Sequence, residues 1–158
     1  MSELNPYAKF LDGRPLEVIL SSTGHEIANL LQIMGPDKSV AAPAPGKWSP
    51  NEIVCHLADC ELAFGFRLRQ TLAEDNHVIQ PFDQEKWAAA YPRIPVAQAL
   101  ATFGALRNWN LLLIERALPS AAGKPVTHPE RGAMTFRTIV ETMAGHDLNH
   151  LAQLKKLA

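Results

Sequence analysis

The sequence predicts an all-α protein, a four-helix bundle with long irregular connections between its helices. Three observations predict this fold class. Four segments repeat apolar residues at helical spacing over about 20 residues each. Stretches rich in Pro and Gly separate these segments, and no segment alternates apolar and polar residues as a half-buried strand does. Helices of this kind bury their apolar faces against one another in a bundle. A chain of 158 residues is expected to form one domain, 1–158.

The first predicted helix covers residues 15–34 and ends at the Gly-Pro pair 35–36, because proline cannot continue a helix. The second helix is predicted over 50–73. Ser49 can cap it, proline fits its first position, and Glu52 at its third position completes the pattern of a capping box.

Residues 74–95 are predicted to be irregular, because three prolines interrupt them. The third helix is predicted over 95–117, and a loop with two Gly and three Pro is predicted over 119–133. Thr135 is predicted to cap the fourth helix, 136–156, whose last turn carries two lysines that favour the helix dipole.

Charge and hydropathy exclude several classes of function. The chain has 15 basic and 16 acidic residues, a net charge of −1, so it has no excess of positive charge that would attract nucleic acid. No apolar run reaches the roughly 18 residues that a membrane span needs, and the N-terminus does not resemble a signal peptide. We therefore expect a cytoplasmic protein. Its two cysteines, Cys55 and Cys60, lie too far apart on one helix for a disulfide and are expected to be buried free thiols.

Three of the six histidines are predicted to point into the bundle. His146 and His150 are spaced i, i+4 in the middle of the apolar stripe of the fourth helix, so their rings stand one turn apart on one face. His56 lies at the edge of the inward stripe of the second helix. The remaining histidines, at positions 25, 77 and 128, are expected to lie in solvent.

Three inward imidazoles indicate a metal centre, because a buried ring needs partners for both nitrogens and a shared ion satisfies several rings at once. Three neutral imidazoles would leave a coordination position open, which is typical of catalytic rather than structural sites. Imidazole suits Zn, Ni, Cu or Fe. The motif His-Asp-Leu-Asn-His lacks the glutamate of His-Glu-x-x-His, so the motif itself does not contain the general base of that class of metalloenzyme. The alternative is a polar cluster satisfied by hydrogen bonds alone.

Four polar residues near the predicted centre are candidates for supporting it. Asp59 and Asp147 are expected mainly to form exposed salt bridges. Arg67 and Asn110 lie on buried stripes, so each is expected to have a hydrogen-bond partner.

Two segments carry a family resemblance. The run Gly-Lys-Trp-Ser-Pro-Asn-Glu-Ile-Val-Cys-His-Leu-Ala-Asp-Cys-Glu at 46–61 resembles the second-helix signature of the DinB-like superfamily, the YfiT-type metal-binding four-helix bundles. The run Gly-His-Asp-Leu-Asn-His-Leu-Ala-Gln at 145–153 resembles the last-helix signature of that family. The resemblance implies a divalent ion (Zn, Ni, Mn or Fe) held by His56, His146 and His150. Because family members are often dimers, it also implies a homodimer.

The resemblance leaves three hypotheses of function open. The first is a thiol-dependent S-transferase, in which the ion activates a low-molecular-weight thiol that attacks a small electrophile in detoxification or a stress response. The second is a metal-dependent hydrolase, with water as the nucleophile. The third is a bundle without enzymatic activity that binds a metal or a ligand. The first two require a small-molecule substrate, and none of the three involves nucleic acid or a membrane.

Overall fold

The computed structural model describes residues 4–158, and most of them are helical. The α-helices are α1 (Leu16–Val40), α2 (Pro50–Ala73), α3 (Gln84–Ala88), α4 (Val96–Ala121) and α5 (Phe136–Leu157). Two short strands, β1 (Pro125–His128) and β2 (Gly132–Thr135), form an antiparallel hairpin. Single turns of 3-10 helix occupy Ala8–Phe10 and Tyr91–Arg93. The four long helices α1, α2, α4 and α5 are the four predicted helices, so the all-α bundle is confirmed.

Both predicted helix starts are confirmed. The Ser49 hydroxyl accepts a hydrogen bond from the Glu52 amide (3.3 Å), and the Glu52 carboxylate accepts one from the Ser49 amide (2.7 Å). Thr135 and Thr138 make the same reciprocal pair at the start of α5, at 3.2 and 3.3 Å. These bonds satisfy amide groups that a helix start otherwise leaves without partners.

The predicted end of the first helix is wrong. The chain bends at Gly35, which has φ 75° and ψ 172°, and then resumes a helical path to Val40. Glycine adopts this left-handed φ at little cost, and Pro36 then occupies the first turn of the resumed segment, where its missing N–H is no loss. The Ser39 hydroxyl donates to the Gly35 carbonyl (2.7 Å) across the bend. Residues 35–40 thus extend the helix instead of starting the linker.

The two stretches predicted to be irregular hold short elements. In the second stretch, each strand of the hairpin has only four residues, too few to show a period-two pattern, and Gly132 turns the chain with φ 88°. The amide of Ile79 donates to the Thr127 carbonyl (2.8 Å), which ties the hairpin to the segment after α2. In the first stretch, Asp83 caps the short helix α3.

The buried side chains form two apolar clusters, and α2 and α5 contribute to both. Phe64 and Ala144 belong to the first cluster, and Leu57 and Leu151 to the second. Helix α2 packs chiefly on α4, and α1 chiefly on α5. The inward faces of α2 and α5 between the two clusters are the place where the inward histidines lie. Within residues 4–158, no helix has both the length and the apolar character needed to cross a membrane.

Candidate metal centre

The structure brings His56, His146 and His150 together between α2 and α5. The Nε2 atom of His146 lies 3.1 Å from Nε2 of His56 and 3.1 Å from Nε2 of His150. One nitrogen from each ring lies within 4.8 Å of the others, and the residues are only 2%, 4% and 6% exposed. Two imidazole nitrogens that share an ion at about 2.0–2.1 Å stand roughly 3.0–3.4 Å apart. The two 3.1 Å spacings around His146 therefore fit ligands of one metal ion.

Hydrogen bonds alone cannot satisfy this cluster. The Nε2 atom of His146 has either one proton or one lone pair, so it can complete one linear hydrogen bond. It lies against two other nitrogens, however, at the same 3.1 Å distance. One of the two contacts must then bring unmatched groups together in a buried place, which is unfavourable. A cation that accepts a lone pair from each ring removes the mismatch, so the donor set fits a metal.

The protonation state of the rings suits metal binding. Burial lowers the pKa of His56 to about 3, with a smaller contribution from the nearby His150. Burial also holds the pKa of His146 well below its usual value and lowers that of His150. In its neutral form His150 can donate from Nδ1 to Oε1 of Gln153 (2.9 Å), which directs the lone pair of its Nε2 to the centre. Neutral imidazole is the form that binds metals.

Aromatic rings enclose the centre. Tyr7 packs edge-on against the His146 ring with the centroids 5.0 Å apart, and Trp48 packs against the His56 ring at 4.9 Å. Phe64 also packs edge-on against His146, with the centroids 6.1 Å apart. These rings fix the orientation of the imidazoles and limit the access of water.

Cys60, which was not predicted at the centre, adjoins two of the three histidines. Its Sγ lies 3.5 Å from Nε2 of His56 and 4.0 Å from Nε2 of His146. Burial, and next the negative charge of Glu61, raise the pKa of the Cys60 thiol far above its usual value. Both cysteines are buried free thiols, as expected. The i, i+4 spacing from His56 to Cys60 was the signal that could have placed this thiol at the centre.

Two cavities reach the histidines. The larger, of about 510 Å³, is lined by His56, His150, Trp48 and two lysines. The smaller, of about 210 Å³, is lined by His56, His146, Cys60 and the half-buried side chains of Arg67 and Arg131 among others. We call them the large and the small cavity below. A ligand in either would reach the histidine cluster.

A buried ion pair stands directly behind His146, contrary to the expectation for Asp147. Arg107 donates to both carboxylate oxygens of Asp147, at 2.6 and 3.0 Å, and to Glu61 at 2.7 Å. Asn110 completes the cluster by donating to the second oxygen of Glu61 at 2.9 Å. The partner that was expected for Asn110 is thus found, whereas Asp147 is buried instead of exposed.

Arg107 itself was not predicted, because the default expectation for a charged residue is a solvated side chain. The spacing of Phe103, Arg107, Asn110 and Ile114 is that of one helix face, and all four are buried. A charged residue at the centre of such a face was the available signal for the ion pair.

The other polar candidates have partners away from the three histidines. Asp59 accepts a hydrogen bond from the Tyr91 hydroxyl (2.6 Å), and Arg67 donates to the Gln80 carbonyl (3.2 Å), which supplies the partner expected for it. His25 is exposed as predicted, but His128 is buried and His77 half-buried. Those two predictions were wrong because the hairpin, which the sequence did not reveal, packs over this region.

Comparison with known proteins agrees with this architecture. The family model of the DinB superfamily matches residues 19–154. The chain belongs to the DinB superfamily. The resemblance in the second and last helices is thereby confirmed across nearly the whole chain.

Relatives of this DinB superfamily protein occur in bacilli. A protein of Oceanobacillus iheyensis is 26% identical over 166 residues, which cover 99% of this chain and 96% of the relative. A protein of Bacillus cereus is 25% identical over 135 residues, covering 84% of this chain and 78% of the relative. Both are provisionally named as metal-dependent hydrolases.

A solved structure shares the fold. YfiT of Bacillus subtilis, described as a probable metal-dependent hydrolase with an unusual four-helix bundle topology, superposes with a TM-score of 0.82. The match covers 90% of this chain and 83% of YfiT, with 19% sequence identity. This likeness confirms the four-helix bundle of the DinB superfamily protein.

Proposed function

We propose that this DinB superfamily protein is a metal-dependent hydrolase of a small molecule, with His56, His146 and His150 as the ligands of one divalent ion. The observation that carries the proposal is the convergence of three buried, neutral imidazoles, with Nε2 of His146 3.1 Å from Nε2 of each of the other two, an arrangement that hydrogen bonds cannot satisfy. The names of the relatives support the hydrolytic reaction.

The ligand set favours a reactive ion over a structural one. Three protein ligands leave at least one position for water or substrate. Imidazole donors suit Zn, Ni or Fe, and Mn is a further candidate for a mixed nitrogen and oxygen shell. When bound, such an ion lowers the pKa of an attached water or thiol, so that a nucleophile is available near neutral pH.

The protein's own side chains orient and shield the reacting groups. Gln153 holds the tautomer and the direction of His150 through Nδ1. Tyr7 and Trp48 cover two of the imidazoles and exclude bulk water from their faces. The large cavity opens onto His56 and His150 and offers space for a small substrate.

Thiol transfer is a second candidate, and one observation favours it. A transferase must hold a thiol and an electrophile at the same ion, and two cavities reach the histidine cluster. These cavities also argue against a bundle in which the ion is purely structural, since a structural site is closed.

The metal is tested by elemental mass spectrometry on protein purified without an affinity tag or a chelator. We expect about one divalent ion per chain, the stoichiometry of a single three-histidine site. We expect the His146→Gln variant to lose it and the His25→Gln variant, altered at an exposed histidine of α1, to keep it. Wild-type protein that stays metal-free after reconstitution with Zn, Ni, Mn and Fe would refute the proposal.

The reaction is tested on the loaded protein with a panel of esters, amides and electrophiles, each with and without a low-molecular-weight thiol. Turnover of esters or amides without thiol, lost in His146→Gln, supports the hydrolase. A strict thiol requirement would replace hydrolysis by thiol transfer. Equal turnover by the metal-free protein would exclude both mechanisms.

A further inference from the structure

The small cavity beside the histidine cluster carries an unusual set of charges. Two guanidinium groups, of Arg67 and Arg131, line it together with one carboxylate, that of Glu130. Both arginines are half-buried. Burial lowers the pKa of Arg67, and the positive charge of Arg131 lowers it as well. The charged side chains of the cavity carry one positive charge in excess.

Arg67 is held in place without a carboxylate partner. Its guanidinium lies 5.7 Å from the ring centroids of Phe64 and Phe82, and its Nη2 donates to the Gln80 carbonyl (3.2 Å). Over residues 4–158 it forms no ion pair. A guanidinium has five N–H donors in a rigid fork, so most of its donors remain for a ligand.

The other polar groups of the cavity add no negative charge near neutral pH. The Nδ1 atom of His128 accepts a hydrogen bond from the Glu130 amide (3.2 Å), which leaves the proton of the neutral ring on Nε2 as a further donor. Burial, Arg131 and Arg67 lower the pKa of His128, so the ring stays neutral.

We propose that the small cavity binds a carboxylate group of the substrate, held by Arg67 and Arg131, and thereby turns the rest of that substrate toward His56 and His146. A carboxylate matches both the single excess positive charge and the planar fork of a guanidinium. The volume of about 210 Å³ is below the range for a whole drug-sized ligand, so the cavity suits a compact substituent. This inference rests on the proposed function, because the remainder of the substrate is placed at the metal centre.

The test compares two thiol probes of the same shape, 3-mercaptopropionate and its uncharged analogue 3-mercaptopropionamide, on the Co(II)-loaded protein under anaerobic conditions. Binding of either thiolate to cobalt is followed by its charge-transfer absorption in the near ultraviolet. We expect the acid to bind about tenfold more tightly than the amide, as for a charge-assisted contact. Equal affinities of the two probes would overturn the proposal.

Two variants test whether the arginines cause the tighter binding of the acid relative to the amide. Arg67→Gln and Arg131→Gln are each expected to reduce the ratio of the two affinities to near unity. Arg116→Gln, which removes the same charge from an exposed position of α4, is expected to keep it. Thermal melts of all variants establish that they fold. A preference that survives in both cavity variants would show that the carboxylate binds elsewhere, for example on the cobalt itself.

A further experiment tests the carboxylate site independently of the proposed metal site. If neither cobalt nor Zn, Ni, Mn or Fe binds, the proposed function fails, and the cavity is then tested on metal-free protein by ¹⁵N NMR of the arginine Nε–H groups. We expect 3-mercaptopropionate, and not the amide, to shift the Arg67 resonance. Absence of a shift at both Arg67 and Arg131 would overturn the carboxylate site, whatever the fate of the metal centre.

Discussion

A single hydrogen bond orients the imidazole ring of His150, one of the three proposed metal ligands. Oε1 of Gln153 lies 2.9 Å from Nδ1 of His150, and the residue is on the same helix three positions later. An acceptor at this place fixes the imidazole tautomer that offers Nε2 to the centre. The side chain is itself exposed, so its contribution comes from this bond and not from packing.

Replacement of this acceptor is therefore expected to weaken metal binding without unfolding the protein. In Gln153→Leu we expect the affinity for zinc to fall about tenfold, at the low end of the range for lost outer hydrogen bonds to ligands. Competition with a chromophoric chelator measures it. Gln98→Leu, at an exposed site on α4, serves as the control. Unchanged affinity in Gln153→Leu would mean that the bond does not orient His150.

The buried guanidinium of Arg107 is the counter-charge of two buried carboxylates. It lies between Glu61 and Asp147, and its Nε is a buried donor that has no acceptor among the described residues. Its removal leaves two carboxylates buried without a counter-charge. We expect Arg107→Met to lower the free energy of unfolding by about 3–5 kcal/mol, the usual cost of breaking a buried pair from one side.

Urea denaturation measures this loss, and Arg116→Met on the exposed side of α4 is the control. Surface replacements of that kind change stability by about 0.5 kcal/mol or less. A loss below about 1 kcal/mol in Arg107→Met would show that water or a rearrangement satisfies the carboxylates.

Single residues were predictable where spacing and burial agreed. His146 and His150 were predicted correctly because an i, i+4 pair within an apolar stripe places both side chains on the same buried face of the helix. Arg107 and Asp147 were missed because charged residues are rarely buried and the default expectation is a solvated side chain. His128 was missed for a different reason, since its burial depends on a hairpin formed by contacts distant in sequence.

At the scale of elements, a glycine of α5 allows the N-terminal segment to pack on the helix. A Cβ at Gly145 would lie 2.6 Å from the Tyr7 carbonyl oxygen and 2.8 Å from its Cβ. Contacts this short with backbone must be relieved by a shift of the segment. Tyr7 is the residue whose ring covers His146, so the position next to that histidine controls part of its surroundings.

Gly145→Ala is expected to displace the segment that carries Tyr7. The free energy of unfolding should fall, although alanine favours the helix intrinsically by about 1 kcal/mol. The ring-proton NMR signals of His146 should also shift as the tyrosine ring leaves. Gly104→Ala on α4 is a matched control with no atom within 4 Å of the added methyl group, and it is expected to stabilise the protein. Destabilisation of equal size in both variants would refute this account.

The long helices were predictable and the short elements were not, for a physical reason. Caps and apolar periodicity are local, and they located α2 and α5 to within one residue at each end. The strands have four residues each and are held by pairing across the hairpin and to the segment after α2. The Gly35-Pro36 pair is locally typical of a helix end, whereas in the folded protein the helix continues beyond the bend to Val40.

For the molecule as a whole, the buried histidines make stability depend on pH. In the metal-free protein the folded rings resist protonation, with the pKa of His56 near 3, while the unfolded rings take up protons near pH 6.5. Below pH 6.5 the unfolded chain thus binds more protons than the folded protein, and the free energy of unfolding decreases as the pH is lowered. Each such ring contributes up to about 1.4 kcal/mol per pH unit, and three together roughly 4 kcal/mol.

Chemical denaturation of metal-free protein at pH 7, 6 and 5 measures this dependence. We expect the free energy of unfolding to drop steadily over this range, less steeply in His56→Gln by about a third, as one of three rings is removed. His25→Gln, altered at an exposed ring, should follow the wild type. A free energy that is equal at pH 7 and pH 5 would show that the folded rings take up protons as readily as the unfolded ones.

The homodimer that the family resemblance implies stays a prediction at this scale, and sedimentation equilibrium would test it. Of the whole architecture, the sequence predicted the number and order of the long helices. It could not predict that an ion pair behind α5, a hairpin beside α2 and an N-terminal turn would surround the histidines, because each of these depends on long-range contacts.

The distribution of the three histidines along the chain also has a consequence for synthesis in the cell. His56 lies on α2, and the other two lie 90 and 94 positions later on α5. While α5 is still inside the ribosome, the emerged part of the chain offers only one imidazole of the set. Assembly of the three-histidine set must therefore wait until α5 has emerged and docked, and a metal ion that enters this set is captured late in folding.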